Sequence, residues 1–255
     1  MTTKLIILLT VGALALGLLV WMIVRAWRYH RNHPEENLFF LLPFCLLLLA
    51  GGTANAQYDG TISNPYRIRT AEQLVSFTEC IGSGNPFYYD QTNRICVTTV
   101  PASGNYSSIP AHGEGKYFLI PNDIILNQGN LAACDGEIDP AWTVWPETGV
   151  FKGHLLGDKH TVSGMYIERP DGTVGVGFFS KMEGDAHIEK LGIVNSYVRG
   201  GASNIGGMVG ELSGGHINDC FFEGSIRTSG DNVGGLVGLM TAYDDATAGT
   251  QSPTM

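Results

Sequence analysis

The sequence predicts an all-β chain: a β-solenoid of short, stacked parallel strands behind an N-terminal export segment. Three observations lead there. Glycine makes up 34 of 255 residues, without a collagen period and with long aliphatic residues throughout, which is not the composition of a disordered linker. A Gly-Gly-x-Val-Gly pattern recurs at 28 residues, at Ile205–Gly210 and again at Val233–Gly238. Beyond residue 82, apolar residues alternate in short runs broken by glycine, with no helix-length stripe.

Residues 1–56 read as the export segment. Leu5 to Val24 is twenty residues without a charge, long enough to cross a bilayer as a helix. Arg25, Arg28 and Arg31 follow it. A second apolar run, Leu38 to Ala50, ends in Ala54-Asn55-Ala56, the small-x-small pattern of a signal peptidase site. In one reading Met22 is the true start, residues 1–21 are an annotation error, and cleavage follows Ala56. In the other Leu5–Val24 is a membrane helix whose trailing arginines stay cytoplasmic. Both place everything after Gln57 outside the cytoplasm, and the first is preferred because Met22 begins an ordinary signal peptide. Cys45 lies in no convincing lipobox. The expected location is extracellular or at the cell surface, with membrane contact only through this segment.

The remainder carries 11 basic and 22 acidic residues, a formal charge of about −11. An acidic surface repels phosphate backbones, which argues against a nucleic-acid partner. Four cysteines remain, Cys80, Cys96, Cys134 and Cys220. An even number in an exported chain suggests disulfides. Cys80–Cys96 is the expected pair because the two flank a turn-rich stretch, whereas Cys220 at an apolar repeat position reads as a buried thiol. No C-x-x-C pair supports a zinc site.

Residues 57–172 form the expected N-terminal region. Tyr66 and Ile68 alternate as in a strand. Thr70 is a helix N-cap with Gln73 at the capping-box position, and Leu74, Phe77 and Ile81 make a short apolar stripe ending near Gly82. Residues 82–115, rich in Gly, Pro, Ser, Asn and Tyr, read as a loop insertion with one strand at Ile95–Val100. Lys116–Leu126 reads as two strands about Asn122-Asp123. Residues 127–150 are a long loop with Trp142 and Trp145, and Phe151–Ile167 alternates short strands with glycine turns.

Residues 173–240 repeat. Val176-Gly177-Phe178-Phe179, Ile205–Gly210 and Val233–Gly238 open successive units. Apolar residues recur in register: Phe179, Val209 and Val237; Met182, Leu212 and Met240; Ile188 and Ile217; Leu191 and Cys220. One unit cannot bury its apolar face alone, but stacked units pair strands and form continuous inward ladders. A β-sandwich also predicts closely spaced strands, but not this internal identity. The tail, 241–255, is small, polar and acidic, with no apolar period and no evident cap for an open strand edge.

These repeats resemble the GLUG repeat family of bacterial surface proteins, whose core looks like V-G-G-L-V-G followed by I-x-N-C/S-x-x-x-G. Val233–Gly238 matches the first part fully, Ile205–Gly210 has Met for Leu, and Ile217-Asn218-Asp219-Cys220 with Gly224 matches the second. Gly206, Gly207, Gly210, Gly234, Gly235 and Gly238 are its structural glycines. The resemblance covers roughly residues 66–240 and implies a right-handed parallel β-helix capped by a short helix. The function it implies is an exported structural or adhesive module, with a carbohydrate or a host or matrix protein as partner. The alternatives are a carbohydrate-active β-helix enzyme (polysaccharide lyase or glycoside hydrolase) and a passive stalk fragment of a larger surface protein.

Enzyme motifs are sparse. Neither H-E-x-x-H nor G-x-S-x-G occurs, and no catalytic residue is assigned. His154 and His160 flank Gly157-Asp158 as turn residues or metal ligands. His187 and His216 occupy equivalent repeat positions and would stack as a ladder on one face. Asp123, Asp139, Glu147, Asp158 and Asp171 are scattered acids without a D-x-D pair; Asp123 reads as a cap for backbone amides, with calcium as the ion such acids would otherwise bind. No cofactor is expected. Trp142 and Trp145, with Tyr88, Tyr89 and Tyr106, lie in loop-like segments where aromatics stack on sugars or anchor partners, or else plug the first turns of the solenoid.

Overall fold

A computed structural model describes residues 57–134, 138–169, 172, 175–201, 203–241, 243–245 and 249–251. The export segment with Ala54 and Ala56, and Asp171, lie outside them. Among the described residues no helix is long and apolar enough to cross a membrane.

The chain opens with β1 (Tyr66–Arg67) and α1 (Ala71–Gly82). Thr70 caps α1 as its spacing predicts: its hydroxyl accepts the Gln73 amide at 3.2 Å, while the Gln73 side chain accepts the Arg69 amide at 2.7 Å. Leu74, Phe77 and Ile81 are all buried. Phe77 inserts between the rings of Phe118 and Phe151, at centroid distances of 4.5 and 6.1 Å. The helix therefore closes over the first strands of the core.

The stretch expected to be a loop insertion with one strand at Ile95–Val100 holds three strands. β2 (Phe87–Asp90), β3 (Cys96–Val97) and β4 (Tyr106–Ile109) make a small antiparallel sheet in the order β3-β2-β4. It is stitched by side chains that composition alone does not reveal. Asp90 accepts the Thr92 and Asn93 amides to close the turn, and Gln91 bonds both backbone groups of Tyr58.

The rest of the strands are β5 (Tyr117–Leu119), β6 (Ile124–Ile125), β7 (Val150–Phe151), β8 (His154–Ser163), β9 (Tyr166–Arg169), β10 (Phe179–Met182), β11 (His187–Gly200), β12 (Ile205–Gly206), β13 (Val209–Leu212), β14 (His216–Asn218), β15 (Phe221–Thr228), β16 (Val233–Gly234) and β17 (Val237–Met240). In the polar tail, β18 (Tyr243–Asp245) pairs antiparallel with β19 (Gly249–Gln251), where the sequence shows no strand signal.

Strands β1 to β17, leaving aside β2–β4, pair parallel, so the fold is all-β with parallel sheets. The largest sheet runs β1-β5-β8-β11, with β14 and β15 both paired to β11, β6 to β8 and β9 to β11. A second runs β7-β10-β13-β17, and β12 pairs β16. Each pass of the chain thus lays its strands against those of the pass before.

The registers match the sequence alignment of the repeats. Phe179 pairs Val209 and Val209 pairs Val237; Met182 pairs Leu212 and Leu212 pairs Met240; Ile188 pairs Ile217; Ile205 pairs Val233. Along the largest sheet one inward ladder runs Tyr66, Phe118, Leu155, Ile188, Ile217, all at most 2% exposed. Side chains alternate across a strand, so fixing these residues inward fixes their neighbours outward.

The repeat glycines allow this stacking. A Cβ on Gly210 would collide with the Val176 amide nitrogen, and one on Gly238 with that of Ile205, the equivalent atom one pass later. Gly206 and Gly234 each leave no room beside the carbonyl of the valine three residues on, and a Cβ on Gly207 would strike the Phe222 ring. Gly235 differs: nothing lies within 4 Å of the place its Cβ would take.

Candidate functional site

One residue before each member of the inward ladder stands a residue of the opposite face. In four successive passes these are Tyr117, His154, His187 and His216, each in register with the next. Their rings stack: Tyr117 on His154 at 4.3 Å and 20°, His154 on His187 at 5.0 Å and 35°, His187 on His216 at 4.7 Å and 34°. In-register parallel strands lie about 4.8 Å apart, so flat side chains at equivalent positions come to ring-stacking distance without further design. The His187–His216 pairing follows the repeat spacing; Tyr117 and His154 join the column through passes whose lengths differ, which hides them from a periodicity search.

The middle of the column is the most polar. His154 Nδ1 lies 3.1 Å from His187 Nδ1. The Asp185 carbonyl oxygen is 3.2 Å from His187 Nδ1, and the Asp185 carboxylate is 3.8 Å away. Burial, and next the neighbouring His187, hold His154 below the ordinary imidazole range, against the opposing pull of Asp185. Asp185 carries no motif in the sequence. The equivalent positions one pass before and after are Lys152 and Gly214, so the carboxylate enters at a single level of the column.

His160 is not part of this group. It faces Asp123 at 3.2 Å, and the same carboxylate oxygen accepts the Thr161 amide at 2.8 Å. Asp123 therefore caps the adjacent pass, as expected, and these hydrogen bonds hold its carboxyl below the usual range. Asp139 likewise accepts the Ala141 amide at 2.9 Å. Asp158 sits at a corner with positive φ beside Lys159, a backbone role.

The tryptophans divide. Trp145 is 2% exposed, stacks on Phe178 at 4.9 Å and donates its indole N–H to the Phe178 carbonyl at 3.1 Å. It plugs the core and is withdrawn from any exposed binding surface, because its ring is covered and its one donor is satisfied. Trp142 is half-buried. It donates to the Gln128 carbonyl at 2.8 Å and leans on Tyr166 in a second cluster with Leu131, Cys134 and Tyr197. This cluster packs Leu131, Cys134 and Trp142 against Tyr166 of β9 and Tyr197 of β11. Asn195 fastens the same segment from β11 through the Gly129 carbonyl and the Ala132 amide. Tyr89 is in the core, while Tyr88 and Tyr106 are half-buried.

The Cys80–Cys96 disulfide expected from the sequence is not formed; both are free thiols. They are neighbours across α1 and β3, packed as small apolar side chains at 3% and 5% exposure. Burial pushes the Cys80 thiol up to about 12 and the Cys96 thiol well above its ordinary range. Cys220 is the free thiol expected there but is half-buried and not fully buried; its sulfur lies 3.2 Å from the Asn218 carbonyl and 3.6 Å from the Ile188 carbonyl.

Fold and site together define an all-β chain of in-register parallel ladders with a histidine column on its outer face. A stretch of 100 residues, 39% of this chain, is 33% identical to Halomucin of Haloquadratum walsbyi (strain DSM 16790 / HBSQ001). The match covers 1% of that protein's length. No family model matches the chain, and no solved structure matches it.

Proposed function

We propose that the chain is an exported cell-surface repeat protein of the GLUG type, folded as a right-handed parallel β-helix, acting as a structural or adhesive module. The observation that supports this most is the register: an inward apolar ladder persists from β1 to β14, and an outward ladder of aromatic and imidazole rings from β5 to β14. Such a stack builds a stiff, extended body that grows by adding passes. The partial likeness to Halomucin agrees with an extracellular setting. The engagement of Asp123 and Asp139 in backbone capping weighs against a polysaccharide-cleaving site at these two acids. Trp142 and the outer column are the surface offered to a carbohydrate or matrix-protein partner.

The test is an array of glycans and matrix proteins probed with the purified full chain, with and without calcium. Saturable binding to one ligand class, reduced by Trp142→Ala, is the expected result. A folded chain that binds nothing overturns the adhesive role and leaves the passive stalk.

A further inference from the structure

The contacts at the centre of the histidine column share a common feature. His187 Nδ1 is faced by His154 Nδ1 at 3.1 Å, by the Asp185 carbonyl oxygen at 3.2 Å and by the Asp185 carboxylate at 3.8 Å. A carbonyl oxygen only accepts, so the contact with the Asp185 carbonyl is a hydrogen bond when His187 Nδ1 carries the proton, which leaves His154 Nδ1 with a free lone pair. Two ring nitrogens and one carboxylate thus converge on one place. His154 is 8% exposed, and its ring is held between Tyr117 and His187, so its Nδ1 cannot swing away to water.

We propose that His154 Nδ1, His187 Nδ1 and the Asp185 carboxylate bind one borderline divalent cation of the zinc class, clamping β8 to β11. One ligand atom from each of the three residues lies within 4.8 Å of the other two. Two nitrogens bound to tetrahedral zinc at about 2.05 Å stand about 3.3 Å apart. The 3.1 Å between the imidazole nitrogens is close to that edge before any movement. The carboxylate must approach by a few tenths of an ångström, which its side chain, 85% exposed, is free to do. On binding, the His187 Nδ1 proton leaves to solvent and Nε2 takes one up, so the ring changes tautomer without net charge. Two imidazoles and one carboxylate suit zinc, copper or nickel; calcium and magnesium prefer all-oxygen shells. A fourth position remains for water. The site does not depend on the adhesive reading: it rests on the register of β8 with β11 and on Asp185 alone.

The experiment is calorimetric titration of the purified full chain with zinc chloride, with thermal unfolding in zinc and in chelator. One zinc per chain at this site is expected, together with a Tm that rises with zinc, since a ligand of the folded state stabilises it. Asp185→Asn, at an exposed position that leaves the stacked rings in place, weakens binding at least about tenfold and removes most of the Tm rise. His187→Gln abolishes both, and His160→Gln changes neither. Equal zinc affinity in wild type and Asp185→Asn overturns the proposal, as does a loss seen with His216→Gln and not with Asp185→Asn.

Discussion

The inward and outward faces of the same strands obey different rules. Tyr66, Phe118, Leu155, Ile188 and Ile217 form the inward ladder; Tyr117, His154, His187 and His216, each one residue earlier in its strand, form the outward one. Inward, a residue is chosen by volume and the ladder tolerates only apolar groups. Outward, stacking comes from strand spacing alone, so a single departure such as Asp185 alters the chemistry at one level without disturbing the fold. The first face is the buried core, and the second carries the polar chemistry.

The inward face should break first. Phe179 is fully buried and lies flat on Phe151, 4.2 Å away at 4°. Phe179→Ala is expected to cost about 3–5 kcal/mol in denaturant unfolding, because the surrounding passes cannot collapse into the space. A cost below 1 kcal/mol would show that the ladder is not the core.

Glycine replacement tests the stacking itself. Gly210→Ala places a methyl against the Val176 backbone and should cost about 1–3 kcal/mol, whereas Gly235→Ala meets nothing within 4 Å and should be near neutral. Equal costs would mean that the glycines serve turns and not close approach between passes.

The outward polar groups should matter least. Lys181 reaches Glu183 at 2.9 Å and Glu211 at 3.0 Å. Burial opposes the charge of Glu183, but Lys181 and Lys152 outweigh it and hold its carboxyl below the ordinary range. A carboxyl depressed in the folded state stabilises above its unfolded pKa, and that contribution fades as pH falls through the folded value. Lys181→Met should therefore cost no more than about 1 kcal/mol at neutral pH and flatten the acid limb of a stability-against-pH curve. An unchanged acid limb would remove Glu183 from that account.

Much of the fold was legible because the period is strict where passes are uninterrupted. The 28-residue step from Val209 to Val237 and the 29-residue step from Ile188 to Ile217 follow directly from the glycine and apolar patterns. The same ladder takes 33 residues from Leu155 to Ile188, 37 from Phe118 to Leu155 and 52 from Tyr66 to Phe118. Insertions between those strands erase the period while leaving the pairing intact, so the earlier ladder members carry no repeat signal in the sequence. In the antiparallel sheet of β2–β4 the sequence signals only the strand about Cys96–Val97, for another reason. Its turns are held by Asp90 and Gln91, and its apolar residues are too few to outvote glycine, proline and serine.

By itself the sequence determined the all-β class, the capped helix at Thr70, the registers between residues 176 and 240, and the pairing of His187 with His216. These are local or periodic properties, and each is fixed by side-chain alternation and the need to bury one face. Only the tertiary structure decided that Trp145 is core, that Cys80 and Cys96 lie together as free thiols, and that His154 joins His187 and Asp185 and not His160. Those outcomes depend on which residues separate passes bring to the same level, and that is set by the lengths of insertions whose folded path no local pattern encodes.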